Sequence, residues 1–251
     1  MAGIRVKKRI FSGTVCEQQV FTAPVRCQNI KNAVPPKPRF ENEEERKKHR
    51  DGISRRKFIR MINANFGPTS YYSTLTFSNE YEVHTFTEAR RIRNNYFRRL
   101  TRACPNAKIV IVMGRGKGTK RIHMHMISEG VPPEIIRGKW NEGEIIDVDP
   151  LREHNYYDKK DHGQDYTGLA IYLHGHWKPE QGGHRWQATR NMKAPDVEAA
   201  KPIKREYSKT KPPRAPKGYI YIGVEETQYG CWTFKYVKEP GPDPRRRRKA
   251  S

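Results

Sequence analysis

The run Arg121-Ile-His-Met-His-Met-Ile-Ser128 carries two imidazoles one residue apart, His123 and His125, in a stretch that reads as a β-strand. Side chains on a strand alternate between its faces. Both histidines therefore leave from one face with their Cα atoms about 7 Å apart, while Ile122, Met124 and Met126 leave from the other. Two neutral ring nitrogens side by side on a rigid strand are the beginning of a divalent metal site. The competing reading is structural, with two partly buried histidines hydrogen-bonded inside the fold. Downstream, Asp165-Tyr-Thr-Gly-Leu-Ala-Ile-Tyr-Leu-His-Gly-His176 reads as a helix carrying Tyr166 and Tyr172. A metal that polarises a phosphate beside a tyrosine hydroxyl is enough to break a phosphodiester by transesterification, and a covalent phosphotyrosine keeps the bond energy for rejoining. His176 follows Tyr172 by four residues and so shares its helix face. That makes His176 a candidate third ligand, with His174 and Glu153 as alternatives.

Composition names the partner class. Lys and Arg number 50 against 27 Asp and Glu in 251 residues, a formal charge of +23. A charge of that size seeks polyanions, and nucleic acid, held by a salt-sensitive phosphate term, is the expected one. A membrane is not expected as a partner: no lipidation signal or basic amphipathic anchor stands out, and no apolar run approaches membrane-spanning length. The cysteines, Cys16, Cys27, Cys104 and Cys231, form no CxxC pair. This argues against a zinc ribbon or a disulfide framework and for a soluble protein of the reducing cytoplasm.

The elements that must position the candidate residues follow from periodicity and punctuation. Residues 1–55 read as a basic N-terminal extension that includes a short strand at Arg9–Val15. A helix opens on the capping pair Asn42 and Glu45 and is stopped by Gly67-Pro68. Tyr71–Phe77 is a strand. Thr85 and Glu88 cap a helix to Ala103 with apolar positions Ala89, Ile92, Tyr96 and Leu100. Its arginines, Arg90, Arg91, Arg93, Arg98, Arg99 and Arg102, fall on the other faces, as a solvated surface or a DNA-contacting one. Lys108–Met113 is a buried strand, and Gly114-Arg-Gly-Lys-Gly118 lacks the phosphate-loop pattern and reads as a basic hairpin turn. Arg115, Lys117, Lys120 and Arg121, in and beside that turn, are candidate DNA contacts. A short helix at 132–137 and a strand at 144–148 precede the tyrosine helix. A mobile, basic Pro/Lys-rich linker (196–217), a β-hairpin (218–240) and a basic tail (241–251) complete the chain. The order predicts an α+β fold, an antiparallel sheet with helices on one face.

Four stretches, in order, resemble the motifs of the HUH endonucleases, and among them the rolling-circle replication initiators of Gram-positive plasmids, prophages and integrative elements. They are Ile62-Asn-Ala-Asn-Phe-Gly-Pro68 leading into Thr74-Leu-Thr-Phe77, then Arg121-Ile-His-Met-His125, then Asp165-Tyr-Thr-Gly-Leu-Ala-Ile-Tyr-Leu173, then Arg185-Trp-Gln-Ala-Thr-Arg-Asn-Met-Lys-Ala-Pro195. The likeness covers residues 56–195. It implies a five-stranded antiparallel sheet, Mg²⁺ or Mn²⁺ held by His123 and His125, and single-stranded origin DNA as substrate. It also implies Tyr172 as the nucleophile, with Tyr166 as its rival, and a nick that leaves 5′-phosphotyrosine and a free 3′-hydroxyl. A host polymerase and helicase are the implied further partners. Positions six apart on a helix face different ways, so the two tyrosines do not share a role.

The departures from the family pattern are specific. Its members often carry an acidic third ligand on the strand before the histidine strand, where this chain reads Val112-Met-Gly-Arg115. The third ligand is thus open. The lysine they place three residues after the nucleophile is Gly175 here. The second tyrosine that some use, four residues on, is absent, which points to a single-tyrosine mechanism. A relaxase or a single-tyrosine transposase would share this site, although relaxases usually place the tyrosine before the histidines. A basic nucleic-acid-binding protein without catalysis would share the charge.

Overall fold

The chain builds, in order, β1 (Gly3–Ser12), β2 (Val15–Pro24), α1 (Glu43–Asn65), β3 (Tyr71–Thr76), α2 (Phe86–Ala103), β4 (Lys108–Arg115), β5 (Ile122–Glu129), α3 (Pro133–Gly138), β6 (Ile145–Pro150), α4 (Thr167–Gly175), β7 (Trp186–Ala188), β8 (Asp196–Val197), β9 (Lys201–Pro202), β10 (Tyr219–Glu226) and β11 (Trp232–Lys238). The structure, a computed structural model, describes residues 3–24, 30–35, 39–81, 83–116, 121–143, 145–152, 163–178, 182–226 and 230–239. Lys117, Lys120, Glu153 and the basic tail 241–251 lie outside the described residues. Among the described residues no helix is long and apolar enough to cross a membrane. The chain divides into two compact units, one of Met1–Arg56, His154–Asp165 and Ala194–Ser251, the other of Lys57–Glu153 and Tyr166–Lys193.

The second unit contains the α+β arrangement. Its five strands run β6-β3-β5-β4-β7, every neighbouring pair antiparallel. The histidine strand β5 is the central one. Ile109, Ile111 and Met113 of β4, with Leu75, Met124 and Met126, point into a core closed by Ala89, Ile92, Tyr96 and Leu100 of α2 and Ile136 of α3. The alternate residues Val110, Val112 and Ile127 meet Phe58 and Ile62 of α1 and Ala170 and Leu173 of α4. The expectation of helices on one face is therefore corrected: both faces are covered. A strand such as Lys108–Met113, apolar at successive positions, exposes hydrocarbon on whichever side is left bare.

The capping signals act as the sequence predicts. Asn42 Oδ1 accepts from the Glu45 N–H at 2.8 Å, and Thr85 Oγ1 accepts from the Glu88 N–H at 3.3 Å. The arginine reading of α2 needs one correction. Arg93 follows Ala89 by four and precedes Tyr96 by three, so it shares their core-facing side and is buried. Its guanidinium bonds Asn94 Oδ1, and burial, with Arg90 nearby, lowers its pKa to about 10. Arg99 pairs with Glu142 at 2.6 Å.

The first unit holds a sheet ordered β10-β11-β2-β1-β8, with β9 also on β1. Residues expected as an extension form β1 and β2, a ten-pair hairpin that turns at Gly13 (φ 59°), within the span read as one short strand. Val6, Phe21 and Ala23 share a core with Ala33, Ala200 and Cys231. Cys16, Val20, Phe234 and Tyr236 form another, against which Ile203, Tyr207 and Ala215 of the Pro/Lys-rich stretch pack. That stretch is fastened rather than free: Gln18 Nε2 donates to the Arg214 carbonyl at 2.9 Å and the Tyr236 hydroxyl to the Pro213 carbonyl. Lysine and arginine interleaved with Val6 and Ile10 hide the strand period from a composition-based reading.

Candidate metal centre

Strand register assembles the site. His123 lies between Thr76 of β3 and Gly114 of β4, and His125 between Thr74 and Val112. All six side-chain positions share one face, and further along it Val110 and Ile127 hold α4 through Ala170 and Leu173. One helical turn along α4 separates Tyr172 from His176, its C-cap residue. His176 joins the strand histidines: the candidate ligand atoms of His123, His125 and His176 all lie within 4.8 Å of one another. His125 Nε2 and His176 Nε2 are 3.2 Å apart.

Gly114 makes room for this. A Cβ at that position would stand 2.5 Å from His176 Cδ2 and 3.2 Å from His123 Nε2. The space opposite His123 is filled by an imidazole delivered from the helix. His174 is directed elsewhere. It is buried and accepts from Arg185 Nη1 at 3.0 Å, with Phe58 and Trp186 around its ring.

Hydrogen bonds orient the rings. His176 Nδ1 lies 2.9 Å from the Tyr172 carbonyl. A carbonyl only accepts, so Nδ1 carries the proton, and in the neutral ring Nε2 presents its lone pair. His125 Nδ1 lies 2.6 Å from the Tyr72 hydroxyl and 3.4 Å from Thr74 Oγ1. Burial pushes the His125 pKa down to about 3, and His176 and His123 push the same way. Burial also lowers His123, with a hydrogen bond to the Arg121 backbone opposing and His176 reinforcing it. Tyr72 is raised to about 12, chiefly by burial, with Thr74 opposing and Tyr172 and Asp147 adding to the rise.

Three ring nitrogens within 4.8 Å of one another could converge on one divalent ion, and imidazole is a common ligand for such an ion. Among the described residues the group contains no carboxylate.

The low His125 pKa fixes a sign. The unfolded chain binds a proton near pH 6.5 that the folded chain refuses down to about 3, so the folded state loses stability as pH falls through that window. Melts in EDTA are expected to show the metal-free protein weakening between pH 7 and 5, with a contribution approaching about 1.4 kcal/mol per pH unit from this one proton. His125→Asn is expected to flatten that slope. An equally steep slope in the variant would refute the assignment.

The rival tyrosines differ in placement. Tyr172 is 53% exposed, its ring 4.4 Å from that of His176 and 5.7 Å from that of His125. Tyr166 is buried among Phe58, Ile62 and Leu151, with its N–H on Asn63 Oδ1. Arg115 and Arg121 flank the histidine end of β4 and β5. Arg115 stacks over Phe86 at 4.9 Å and donates to the His84 carbonyl, while Arg121 holds the Phe77 carbonyl and Asn79 Oδ1. Sequence reasoning missed Tyr72, Thr74 and Gly114. Alternation within Tyr71–Phe77 does place Tyr72, Thr74 and Thr76 on one face, but which strand they meet depends on the register. No protein-family model matches this chain, and comparison with curated proteins and with solved structures finds no match.

Proposed function

We propose that this protein nicks and rejoins single-stranded DNA by tyrosine transesterification, the reaction that begins rolling-circle replication in the HUH initiators it resembles. The observation that carries the reading is the exposed Tyr172 one turn from His176 on α4, with both rings against His125. Nucleophile and ligand cluster thus face the same solvent-accessible ground, as an attack on a bound phosphate needs.

Tyr172 Oη attacks the scissile phosphorus, the bond to the 3′-oxygen breaks, and the phenolic proton is balanced by the one the departing 3′-oxygen takes up. The products are 5′-phosphotyrosine and a 3′-hydroxyl. Attack by a 3′-hydroxyl on that phosphotyrosine reverses the step and joins strands. A divalent ion on His123, His125 and His176 would supply positive charge to the phosphate oxygens. Of Mg²⁺ and Mn²⁺, an all-imidazole donor set favours Mn²⁺, and ions later in the first row more strongly still. The net charge of +23, with Arg115 and Arg121 at the site's rim, supplies backbone-phosphate attraction.

The same charge fits a second reading, a non-catalytic nucleic-acid binder. Incubation with pooled single-stranded oligonucleotides from the flanking DNA, in Mn²⁺ or EDTA, separates the two on a denaturing gel. A covalent protein–DNA band in Mn²⁺ and none in EDTA is expected. Salt-sensitive binding with no band under any ion, on a pool containing the origin, would leave the binder.

A further inference from the structure

We infer that Tyr72 is a positioning residue that holds His125 in the ring state a metal requires and in the alternative state the empty cluster adopts. The inference rests on the metal reading of the three histidines and concerns a residue outside their ligand set.

His176 donates through Nδ1 to the Tyr172 carbonyl, so in its neutral ring, the form a metal requires, Nε2 is an acceptor. His125 Nε2 faces that acceptor at 3.2 Å. Without an ion, two facing lone pairs repel, so His125 Nε2 carries the proton and its Nδ1 is the acceptor. With an ion, Nε2 gives up its proton to coordinate, and the neutral ring must carry its proton on Nδ1. The group at Nδ1 therefore has to donate in one state and accept in the other. A hydroxyl does both; a carbonyl or an ammonium does one. The Tyr72 hydroxyl stands 2.6 Å from that nitrogen, its ring stacked on the imidazole at 17° between planes. Thr74 Oγ1, also a hydroxyl, is further off at 3.4 Å.

Register explains why Tyr72 can do this. β3 pairs with β5 so that Thr74 stands opposite His125 and Tyr72 opposite Ile127, one pleat along the same face. A long side chain there reaches back to the imidazole edge that points away from His176. An outer partner of a ligating histidine fixes its ring and tautomer, and losing one typically costs 10–100-fold in metal affinity.

The test uses the full chain and two readouts. Titration calorimetry with Mn²⁺ compares wild type with Tyr72→Phe and Thr74→Val, after circular dichroism has checked each fold. Tyr72→Phe is expected to weaken binding by about 10–100-fold and Thr74→Val by less. Nitrogen-15 imidazole shifts of His125 in the wild type, without metal and with diamagnetic Zn²⁺, are expected to move the proton from Nε2 to Nδ1. This second readout tests, in the folded wild type, the proton exchange that the role of Tyr72 requires. Unchanged affinity in Tyr72→Phe, or a His125 proton that stays on Nε2 in the Zn²⁺ form, overturns the role of Tyr72 and leaves the metal centre intact. A wild type that binds neither ion overturns both.

Discussion

Tyr172→Phe is expected to abolish the covalent protein–DNA band, a loss of at least about 10⁴-fold in adduct formation, since the variant lacks the attacking oxygen. The variant isolates the oxygen. Tyr172 is half exposed, so its fold contribution is small, and phenylalanine keeps the ring beside His176. It also keeps the backbone carbonyl at position 172, which is what His176 Nδ1 bonds. Mn²⁺ affinity should therefore stay within about twofold of wild type while the adduct disappears, since the outer-shell partner is intact. Tyr166→Phe makes the control: its ring lies in the core beside Phe58 and Ile62, and the adduct should survive. An adduct lost in Tyr166→Phe and retained in Tyr172→Phe would move the nucleophile into that core and demand local opening for catalysis.

The second large effect is expected at Gly114. Alanine there places a methyl 2.5 Å from His176 Cδ2, with β4 and β5 fixed on either side by an eight-pair ladder. The helix-borne ring must give way, and with it the third ligand. Calorimetry should show Mn²⁺ binding weakened by roughly 100-fold or more, beyond the usual cost of an outer partner, with little change in the melting temperature. The register suggests a rescue. Position 114 stands directly opposite His123, so Gly114→Asp combined with His176→Ala puts a carboxylate where the imidazole was. Each single change should bind poorly, and the pair should recover affinity and accept Mg²⁺ better than wild type, because a carboxylate suits that harder ion. Strict additivity of the two losses would show that positions 114 and 176 do not share one space.

The sequence carried the parts whose rules are local. His123 and His125 on one face, with Ile122, Met124 and Met126 in the core behind them, follow from strand alternation alone. The caps at Asn42 and Thr85 follow from three-residue spacing. His176 could be suggested from its helix face, but its selection over His174 depends on which side of α4 meets the sheet. What stayed hidden depends on pairing between distant segments. Gly114 looks like the start of a glycine-rich turn until β4 is set against β5. Tyr72 looks like a strand aromatic until β3 is set against the same strand. Arg93 reads as surface because arginines surround it, although its spacing from Ala89 and Tyr96 pointed inward. β1 and β2 were obscured by the charges threaded between their apolar residues.

The sheet of the first unit has a consequence for how the protein is made. β2 pairs with β11 through partners more than 200 residues apart, whereas β3 to β7 all lie within the span from Tyr71 to Ala188. As the chain leaves the ribosome, the five-stranded sheet can close while β10 and β11 have yet to be synthesised. Pairings this remote form slowly. Until they form, the β1–β2 hairpin waits with the edge of β2 bare, and bare edges recruit other strands. A chain stalled or cleaved before Trp232 keeps the His123, His125 and His176 cluster and Tyr172, yet carries an open edge beside buried-type residues such as Val20 and Phe21. Such fragments should aggregate rather than persist as small independent proteins.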